Sequence, residues 1–243
     1  MNTRTLLRLS GPDANAFLQG LVTNDVSKAK DGLVYAALLT PQGKFIADFF
    51  VSAFDDALLL EVATSHAPTL AQRLTMYRLR ADVQIAESPL IVSCGTGPAP
   101  SGSIPDPRHS ALGWRLYGTT DQSDNTDWDA VRVAHVIPET GIELTPDTYI
   151  LEAGFERLNG IDFRKGCYVG QEIAARMKHK TELKKGLAQV SIEGTAPIGT
   201  DITANGKPAG VLYTQSGGRA LAHLRFDRAT DVMQAGTAVL RRT

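Results

Sequence analysis

The sequence is poor in cysteine, balanced in charge and without long apolar runs. Its 243 residues contain two cysteines, Cys94 and Cys167, which argues against a disulfide scaffold and a paired-cysteine zinc motif. With 25 Lys and Arg against 26 Asp and Glu, the net charge is −1. This balance excludes a generally basic nucleic-acid binder and an acidic solvating tail. The longest apolar run, Leu33 to Leu39, is far too short to cross a membrane.

The common catalytic and cofactor motifs are also missing. The sequence contains no GxGxxG after a strand, no GxxxxGK[ST], no GxSxG and no HExxH, which argues against dinucleotide-binding, P-loop, esterase and zinc-protease chemistry. The scattered histidines, each interpreted as an exposed or structural residue, are His66, His109, His135, His179 and His223. An iron–sulfur cluster held by this chain alone would need more thiolates than it has. No stably bound metal is therefore expected.

The beginning of the sequence bears on the compartment. Residues 1–4 lead directly into patterned sequence at Leu6, without the apolar region of a signal peptide and without room for a transit peptide. Together with the low cysteine content, this predicts a reducing environment. The expected location is the bacterial cytoplasm, with no membrane partner and no disulfide-linked partner.

The N-terminal half predicts a mixture of strands and helices. Two β-rich runs, Leu33 to Leu39 and Phe45 to Phe54, flank the turn residues Pro41 to Gly43, which predicts a hairpin. A third strand follows over Ala57 to Val62. The next helix places Leu70, Leu74 and Tyr77 on one face. Further helices are predicted near Val131, over Leu151 to Leu158 and over Gly170 to Lys180.

From Leu187 onward, short strands are separated by Gly, Asn and Pro at the spacing typical of a small all-β barrel. We place a domain boundary near Lys185, which divides the chain into an N-terminal region, 1–185, and a barrel domain, 186–243.

The segment from Arg164 to Ile173 carries the strongest chemical signal. Cys167 lies between glycines, ahead of a predicted helix and directly after two cations, Arg164 and Lys165. Positive charge and helix N-terminal N–H groups both favour a thiolate. A free cysteine is more often a small buried apolar residue, so the local pattern leaves both interpretations open. Cys94 has no such surroundings and is interpreted as structural.

The same segment resembles a known family signature. Its residues match the pattern KGC[FY]xGQE of the YgfZ/Iba57 (CAF17-like) proteins, which belong to the folate-binding superfamily of the glycine cleavage T-protein (GcvT). The matching residues are Lys165, Gly166, Cys167, Tyr168, Gly170, Gln171 and Glu172. Further matches are Leu21 to Val26, Tyr35 with Pro41 to Lys44 and Asp48, Leu151 to Gly154, and Gly210 with Arg219 to Ala222.

The resemblance implies an α+β, GcvT/YgfZ-like fold with two interleaved α/β subdomains and a small C-terminal β-barrel around a central channel. It implies that the channel takes tetrahydrofolate or a related reduced folate. It also implies a role in the assembly or repair of iron–sulfur clusters, chiefly [4Fe-4S], in client enzymes, for which the signature cysteine, here Cys167, is needed. The implied partners are such clients or cluster-assembly proteins, with an indirect link to tRNA modification. The family has no firmly assigned enzymatic turnover.

Four residues are candidate folate ligands through their matched positions. For Asp48 the resemblance implies hydrogen bonds to the pterin, whereas strand alternation alone favours an outward position. Glu152 matches a pterin-binding position but could simply lie favourably at a helix start. Tyr35 could border the folate or belong to the core. Arg176 could contact the anionic tail of the ligand or pair with Glu172 one turn earlier.

Two alternative functions stay open. The T-proteins usually carry two adjacent aspartates where this chain has Ala47 and Asp48, so one carboxylate of a tetrahydrofolate-dependent aminomethyltransferase is missing.

The segment from Arg164 to Lys185 has seven Lys and Arg against two acidic residues. It could be a solvated face, a basic rim that attracts folate or a client, or an RNA surface, although no RNA motif accompanies it.

Overall fold

A computed structural model describes residues 3–179 and 182–243. Its contacts divide the chain into two compact units. We call residues 3–126 with 155–175 the sheet unit, and residues 127–154 with 176–243 the barrel unit. These units are defined by contacts within the folded chain. The domain boundary near Lys185, which was placed from the sequence, stays a prediction.

The sheet unit is built on a five-stranded antiparallel sheet in the order β2-β3-β4-β1-β5. The strands are β1 (Arg4–Ser10), β2 (Val34–Leu39), β3 (Phe45–Phe54), β4 (Ala57–Ala63) and β5 (Gln84–Glu87). The predicted hairpin is confirmed, since β2 and β3 pair across the turn at Pro41 to Gly43.

The two faces of this sheet differ because successive strand residues point to opposite sides. One face is apolar and forms a core with two helices, α1 (Ala14–Gln19) and α2 (Ala67–Arg78). The predicted face of α2 is confirmed, because Leu70 and Leu74 are buried there and Tyr77 packs against the same core. The opposite face carries Tyr35 and Asp48, whose register partners are Phe50 and Ala37. Tyr35 and Asp48 therefore share the face of the sheet opposite the apolar core.

A second, three-stranded sheet in the order β6-β8-β7 completes the sheet unit. Its strands are β6 (Ile91–Gly95), β7 (Ile104–Pro105) and β8 (Trp114–Gly118).

Short 3₁₀ segments lie at Val26–Lys30, Thr64–His66 and Ser110–Leu112. Two further helices follow along the chain, α3 (Trp128–His135) and α4 (Gln171–His179). The predicted helix around Val131 is thus confirmed, and so is the helix after Gly170 up to His179, since Lys180 lies outside the described residues.

The helix predicted over Leu151 to Leu158 is wrong. Residues 151–159 form consecutive turns, because Gly154 and Asn159 take positive φ angles of 81° and 54°, which an α-helix does not accommodate. The hydrogen bond from Gly154 N to Leu151 O, at 3.1 Å, closes a single turn. Glu152 therefore lies in a turn rather than at a helix start.

The barrel unit contains a closed six-stranded barrel in the order β10-β11-β12-β9-β14-β13. Its strands are β9 (Lys185–Glu193), β10 (Asp201–Ala204), β11 (Lys207–Ser216), β12 (Arg219–Arg225), β13 (Val232–Ala235) and β14 (Ala238–Arg242). Tight turns at Asn205 and Gly217, both with positive φ, connect β10 to β11 and β11 to β12. The predicted all-β barrel is confirmed.

An ionic cluster attaches α3 to the barrel. Arg132, on α3, donates from Nη2 to Glu143 Oε2 at 2.7 Å and to Thr214 Oγ1, on β11, at 2.9 Å. Arg132 and Glu143 are both buried, so each charge depends on the other for its stabilisation. None of the helices in the described ranges is long and apolar enough to span a bilayer.

Candidate functional site

In the signature segment, the cysteine is exposed to solvent, whereas a buried residue lies on each side of it along the chain. Cys167 is exposed, whereas Lys165 and Tyr168 on its two sides are buried. Gly166, with a φ of 30°, also lies on the surface. Along the chain, Lys165 is buried in the sheet unit, Gly166 and Cys167 lie at its surface, and Tyr168 is buried again. This arrangement presents the thiol to solvent on an anchored piece of backbone.

Lys165 is the first of these anchors. Its ammonium donates to Gln19 O at 2.5 Å and to Val22 O at 2.6 Å, and it lies 5.3 Å from the centroid of the Tyr168 ring. The side chain is only 6% exposed, and burial lowers the pKa of this ammonium to about 8. The ammonium thus faces main-chain carbonyls of Gln19 and Val22, and the expectation that its charge favours the Cys167 thiolate stays a prediction.

Gly170 is the second anchor, and the structure explains why it is glycine. Its φ is 83°, and a Cβ atom there would lie 2.6 Å from Thr40 O. The start of α4 therefore rests directly on the β2–β3 turn. There, a Cβ at Gly43 would in turn meet Ile173 at 2.8 Å. The signature residues Gln171 and Glu172 form the first turn of α4, where an acidic side chain is favourable.

The hydroxyl of Tyr168 is buried and has no hydrogen-bond partner within the described part of the chain. Burial also raises the pKa of this phenol to about 12, so it stays protonated at neutral pH. A buried polar group without a partner is uncommon and costly. A bound molecule could supply the missing partner at the signature segment.

Tyr35 and Asp48 lie together on the polar face of the sheet. The Tyr35 hydroxyl donates to Asp48 Oδ2 at 2.9 Å, and both side chains are buried. Burial and the neighbouring Asp48 charge raise the pKa of Tyr35 well above its usual value, which keeps the phenol a donor. Its ring is stacked on Phe155 with centroids 5.0 Å apart and also contacts Phe50 at 5.3 Å. The Tyr35 ring therefore packs against the rings of Phe50 and Phe155, and its hydroxyl is hydrogen-bonded to Asp48.

A buried ionic network continues this polar face, and sequence reasoning missed it. Glu61 on β4 pairs with Arg4 at 2.7 Å and with Arg115. Asp106 pairs with Arg115 at 3.0 Å and with Arg108 at 2.8 Å. Burial alone would raise the pKa of Asp106, but the two guanidinium groups outweigh burial and lower it to about 2. The available signal was a lone charge within an apolar strand run, as at Glu61 between Leu60 and Val62.

Glu152 has a partner that the sequence did not reveal. Its carboxylate Oε2 lies 3.2 Å from Nε2 of His223 on β12, and its main-chain oxygen accepts from Leu187 N, on β9, at 2.7 Å. The Glu152 turn is thereby attached to two barrel strands. His223 was interpreted from the sequence as an exposed or structural residue, and this hydrogen bond to Glu152 is compatible with a structural role. The two residues are 71 positions apart, so no local pattern could connect them.

The candidate folate residues are divided between the two units. Tyr35 and Asp48 belong to the sheet unit, as does Cys167, while Glu152 and Arg176 belong to the barrel unit. Arg176 is exposed on the last turn of α4. The structure brings Tyr35 and Asp48 into contact, and the assembly of all four residues into one site stays a prediction.

The basic segment is exposed in most places. Within the described residues, Arg164, Arg176, Lys178, Lys184 and Lys185 are exposed. Lys165 is the buried exception, and Lys180 lies outside the described residues. Over residues 3–179 and 182–243, no three His, Cys, Asp or Glu side chains come together in a way that could hold a metal ion.

Comparisons with known proteins first define the fold. The family model of the GCVT N-terminal domain matches residues 1–89, and the model of the CAF17 C-terminal beta-barrel domain matches residues 184–243. The crystal structure of glycine cleavage system aminomethyltransferase T from Bartonella henselae has a TM-score of 0.75 and 13% identity, and the match covers 99% of this chain and 83% of that chain. The predicted α+β, GcvT-like fold with its C-terminal barrel is confirmed.

Curated relatives then define the family. The mouse "Iron-sulfur cluster assembly factor IBA57, mitochondrial" is 30% identical over 277 residues, covering 93% of this chain and 77% of the relative. The human protein of the same name is 31% identical over 271 residues, covering 92% and 76%. The Neurospora crassa homolog is 32% identical over 247 residues, covering 85% and 56%. The chain belongs to the IBA57 family of iron–sulfur cluster assembly factors, which confirms the resemblance seen in the signature.

The expected bacterial cytoplasmic location is contradicted. The relatives from mouse, human and Neurospora crassa are all named as mitochondrial proteins. The error has a physical reason. Cysteine usage reports the redox state of a compartment, and hydropathy reports insertion into membranes. Neither property separates one reducing compartment from another.

Proposed function

We propose that this protein supports the assembly or repair of [4Fe-4S] clusters in client enzymes, with Cys167 as its functional thiol. Its membership in a family of iron–sulfur cluster assembly factors supports the general role. The observation that carries the proposal is the exposure of Cys167 between the buried residues Lys165 and Tyr168. Anchoring on both sides limits the positions that the thiol can take, which lowers the entropic cost of binding an iron atom.

The chemistry requires a partner. Cubane clusters are usually held by four cysteine thiolates, and this chain has two cysteines. Cys94 lies on β6, is half-buried, and has a pKa raised by burial, so it is a poor ligand at neutral pH. Cys167 can therefore supply one thiolate to a cluster whose remaining ligands come from a client enzyme or a cluster-assembly protein.

The decisive experiment is complementation of cells that lack the endogenous protein. [4Fe-4S] enzyme activities are measured against enzymes without clusters, in cells that express wild type, Cys167→Ser or Cys94→Ser at equal protein levels. We expect Cys94→Ser to restore activity and Cys167→Ser to fail, since serine is nearly isosteric but a poor ligand for iron. Full rescue by Cys167→Ser would refute the role of the thiol.

We also propose that the protein binds a reduced folate through Asp48. When bound, a reduced folate presents the N–H groups of its pterin ring as hydrogen-bond donors. A carboxylate offers about four acceptor sites, so Asp48 can receive such groups in addition to the Tyr35 hydroxyl. The buried surroundings of Asp48 strengthen a charged hydrogen bond relative to water. Glu152, held near His223, is the second proposed carboxylate ligand, and Arg176 is the proposed contact for the anionic tail.

Calorimetry with tetrahydrofolate tests this part. Loss of one charged hydrogen-bond partner costs about 1.5–3 kcal/mol, or roughly tenfold or more in affinity. We expect that loss for Asp48→Ala and for Glu152→Ala, whereas Asp56→Ala, at an exposed ion pair with Arg8, serves as the control. Undetectable binding by wild type, or unchanged binding in both variants, would contradict the proposal.

The aminomethyltransferase alternative makes a different prediction for the same preparations. Ala47 replaces one of the two aspartates that are usual in the T-proteins, so we expect no methylenetetrahydrofolate from an aminomethyl-lipoyl donor. Product formation at the rate of a T-protein would assign the chain to the enzyme class.

We propose that any link to tRNA modification is indirect, through a client enzyme. Strongly salt-dependent tRNA binding by the basic segment would argue instead for direct contact.

A further inference from the structure

Residues 19–28, which we call the bridging segment, lie between β2 and the chain that leads to the signature cysteine. On one side, Thr23 N donates to Ala37 O, on β2, at 3.0 Å. On the other side, Thr23 O accepts from Asp162 N at 3.0 Å. The motif noted in the sequence over Leu21 to Val26 therefore connects a strand of the central sheet to the approach of the thiol.

The side chain of Thr23 makes the same connection a second time. Thr23 is buried, and its hydroxyl accepts from Ala37 N at 2.9 Å and donates to Gly160 O at 2.7 Å. A hydroxyl has one donor, and here that donor is used to hold residue 160. Valine has a similar shape without the hydroxyl, whereas serine keeps it.

Asn24, the next residue, uses its whole amide group. Its Nδ2 donates to Tyr35 O, on β2, at 2.8 Å and to Asn159 O at 2.7 Å. Its Oδ1 accepts from Asp25 N at 2.8 Å. Aspartate has a similar shape but no N–H donor, and it would turn a carboxylate oxygen toward two carbonyl oxygens. The position therefore requires an amide.

Two lysines complete the attachment. Lys28 donates to Asp162 Oδ2 at 2.6 Å, and the same carboxylate accepts from Arg164 N at 2.7 Å. Lys165 donates to two main-chain carbonyls of the bridging segment. The attachments thus continue up to Lys165, two positions before Cys167.

These attachments matter because the chain that they hold has no regular structure of its own. Residues 160–168 contain neither helix nor strand. The main-chain groups of such a segment need partners elsewhere in the fold, and ordering the segment costs conformational entropy. The bridging segment supplies several of these partners, so it sets the place at which Cys167 reaches the surface.

We propose that Thr23, Asn24 and Lys28 are positioning residues for Cys167. They attach residues 159–165 to the sheet unit, and this holds the thiol where a partner can present an iron atom. The proposal rests on the role of Cys167 as the functional thiol, and it does not depend on folate. A purely structural role would predict instead that substitutions lower stability and leave the thiol in place.

A nitroxide attached to Cys167 in the Cys94→Ala background measures this position by electron paramagnetic resonance. Spectra are recorded far below every melting temperature, so that all the proteins are folded. We expect Thr23→Val and Asn24→Asp to shorten the rotational correlation time of the nitroxide about twofold or more, because the chain before it becomes mobile. Thr23→Ser should give the wild-type spectrum, since it keeps the hydroxyl.

Two further variants separate positioning from folding. Lys28→Met removes an ion pair whose lysine is 53% exposed. Exposed ion pairs contribute little stability, so this variant should melt like wild type and still increase the mobility of the nitroxide. Ile202→Val, at a buried position of the barrel core, should lower the melting temperature and leave the spectrum unchanged.

Complementation of [4Fe-4S] enzyme activity at equal protein levels connects position to function. We expect Thr23→Val and Asn24→Asp to restore severalfold less activity than wild type. Thr23→Ser and Ile202→Val should restore it fully, the first because it keeps the hydroxyl and the second because it leaves the bridging segment intact.

Three results would overturn the proposal. The first is an unchanged spectrum in all the variants that lack a contact of the bridging segment. The second is equal nitroxide mobility in Ile202→Val, which would reduce the effect to general loosening of the fold. The third is a mobile nitroxide together with full complementation. Full rescue by Cys167→Ser would instead refute the proposed function, and the spectra would still show whether the bridging segment fixes the thiol.

Discussion

The buried ammonium of Lys165 makes the stability of this protein depend on pH in an unusual direction. Burial lowers the pKa of this group to about 8 in the folded chain, whereas an unfolded lysine titrates at about 10.4. Between these values the unfolded chain binds the extra proton, so stability rises with pH. The contribution is fully present above about pH 10.4 and is lost as the pH falls through about 8.

The size of this effect follows from the two pKa values. A difference of about 2.4 corresponds to about 3 kcal/mol at 1.36 kcal/mol for each pKa unit. A neutral amine still has two N–H donors for Gln19 O and Val22 O, the carbonyls that it contacts at 2.5 and 2.6 Å. Deprotonation therefore removes the cost of burying a charge and leaves the hydrogen bonds in place.

Urea denaturation of wild type and Lys165→Met between pH 7 and 10.5 measures the effect. The difference in unfolding free energy between the two proteins isolates Lys165, because the other titrating groups are common to both. We expect wild type to gain up to about 3 kcal/mol relative to the variant across this range. Lys30→Met, which removes an exposed amine, is the control and should run parallel to wild type. A constant difference between wild type and Lys165→Met would refute the reasoning.

Three further predictions concern reactivity and stability. Cys167 should react with iodoacetamide faster than Cys94 at pH 7, because Cys94 is half-buried and burial raises its pKa; each rate is measured with the other cysteine replaced by alanine, and equal rates would contradict it. Arg132→Met should cost about 3–5 kcal/mol in urea denaturation, because it leaves Glu143 buried without its partner; a loss below 1 kcal/mol would show that the pair is dispensable. Gly170→Ala should lower the melting temperature, because its Cβ would meet a carbonyl of the β2–β3 turn at 2.6 Å; an unchanged melting temperature would argue against this close approach.

Local patterns succeeded where neighbouring residues decide the structure. The turn residues Pro41 to Gly43 predicted the β2–β3 hairpin, and the spacing of Leu70 and Leu74 predicted the buried face of α2. Both depend on interactions within a few residues, which sequence periodicity records directly. The helix predicted over Leu151 to Leu158 failed for the opposite reason. Contacts between this segment and the barrel, such as Leu187 N to Glu152 O, replace helical hydrogen bonds.

Charge placement could not be read from the sequence. Lys165 and Arg164 are neighbours in the chain, yet Lys165 is buried and Arg164 is exposed. The sequence made Lys165 a candidate activator of Cys167, while the fold directs its ammonium to Gln19 and Val22. Whether a cation stays in water depends on the carbonyl groups that the folded chain brings to it, and these lie more than 140 positions away.

The sequence was therefore sufficient to predict the family, the β2–β3 hairpin, the buried face of α2, the barrel and the candidate thiol. These properties follow from short motifs and from periodic burial, which act over one turn or one strand. The folded structure was needed to show that Cys167 is exposed between two anchors, that Tyr35 donates a hydrogen bond to Asp48, and that Glu152 contacts His223. The physical reason is that burial and hydrogen-bond partners are set by segments that are distant in the chain and meet only after folding.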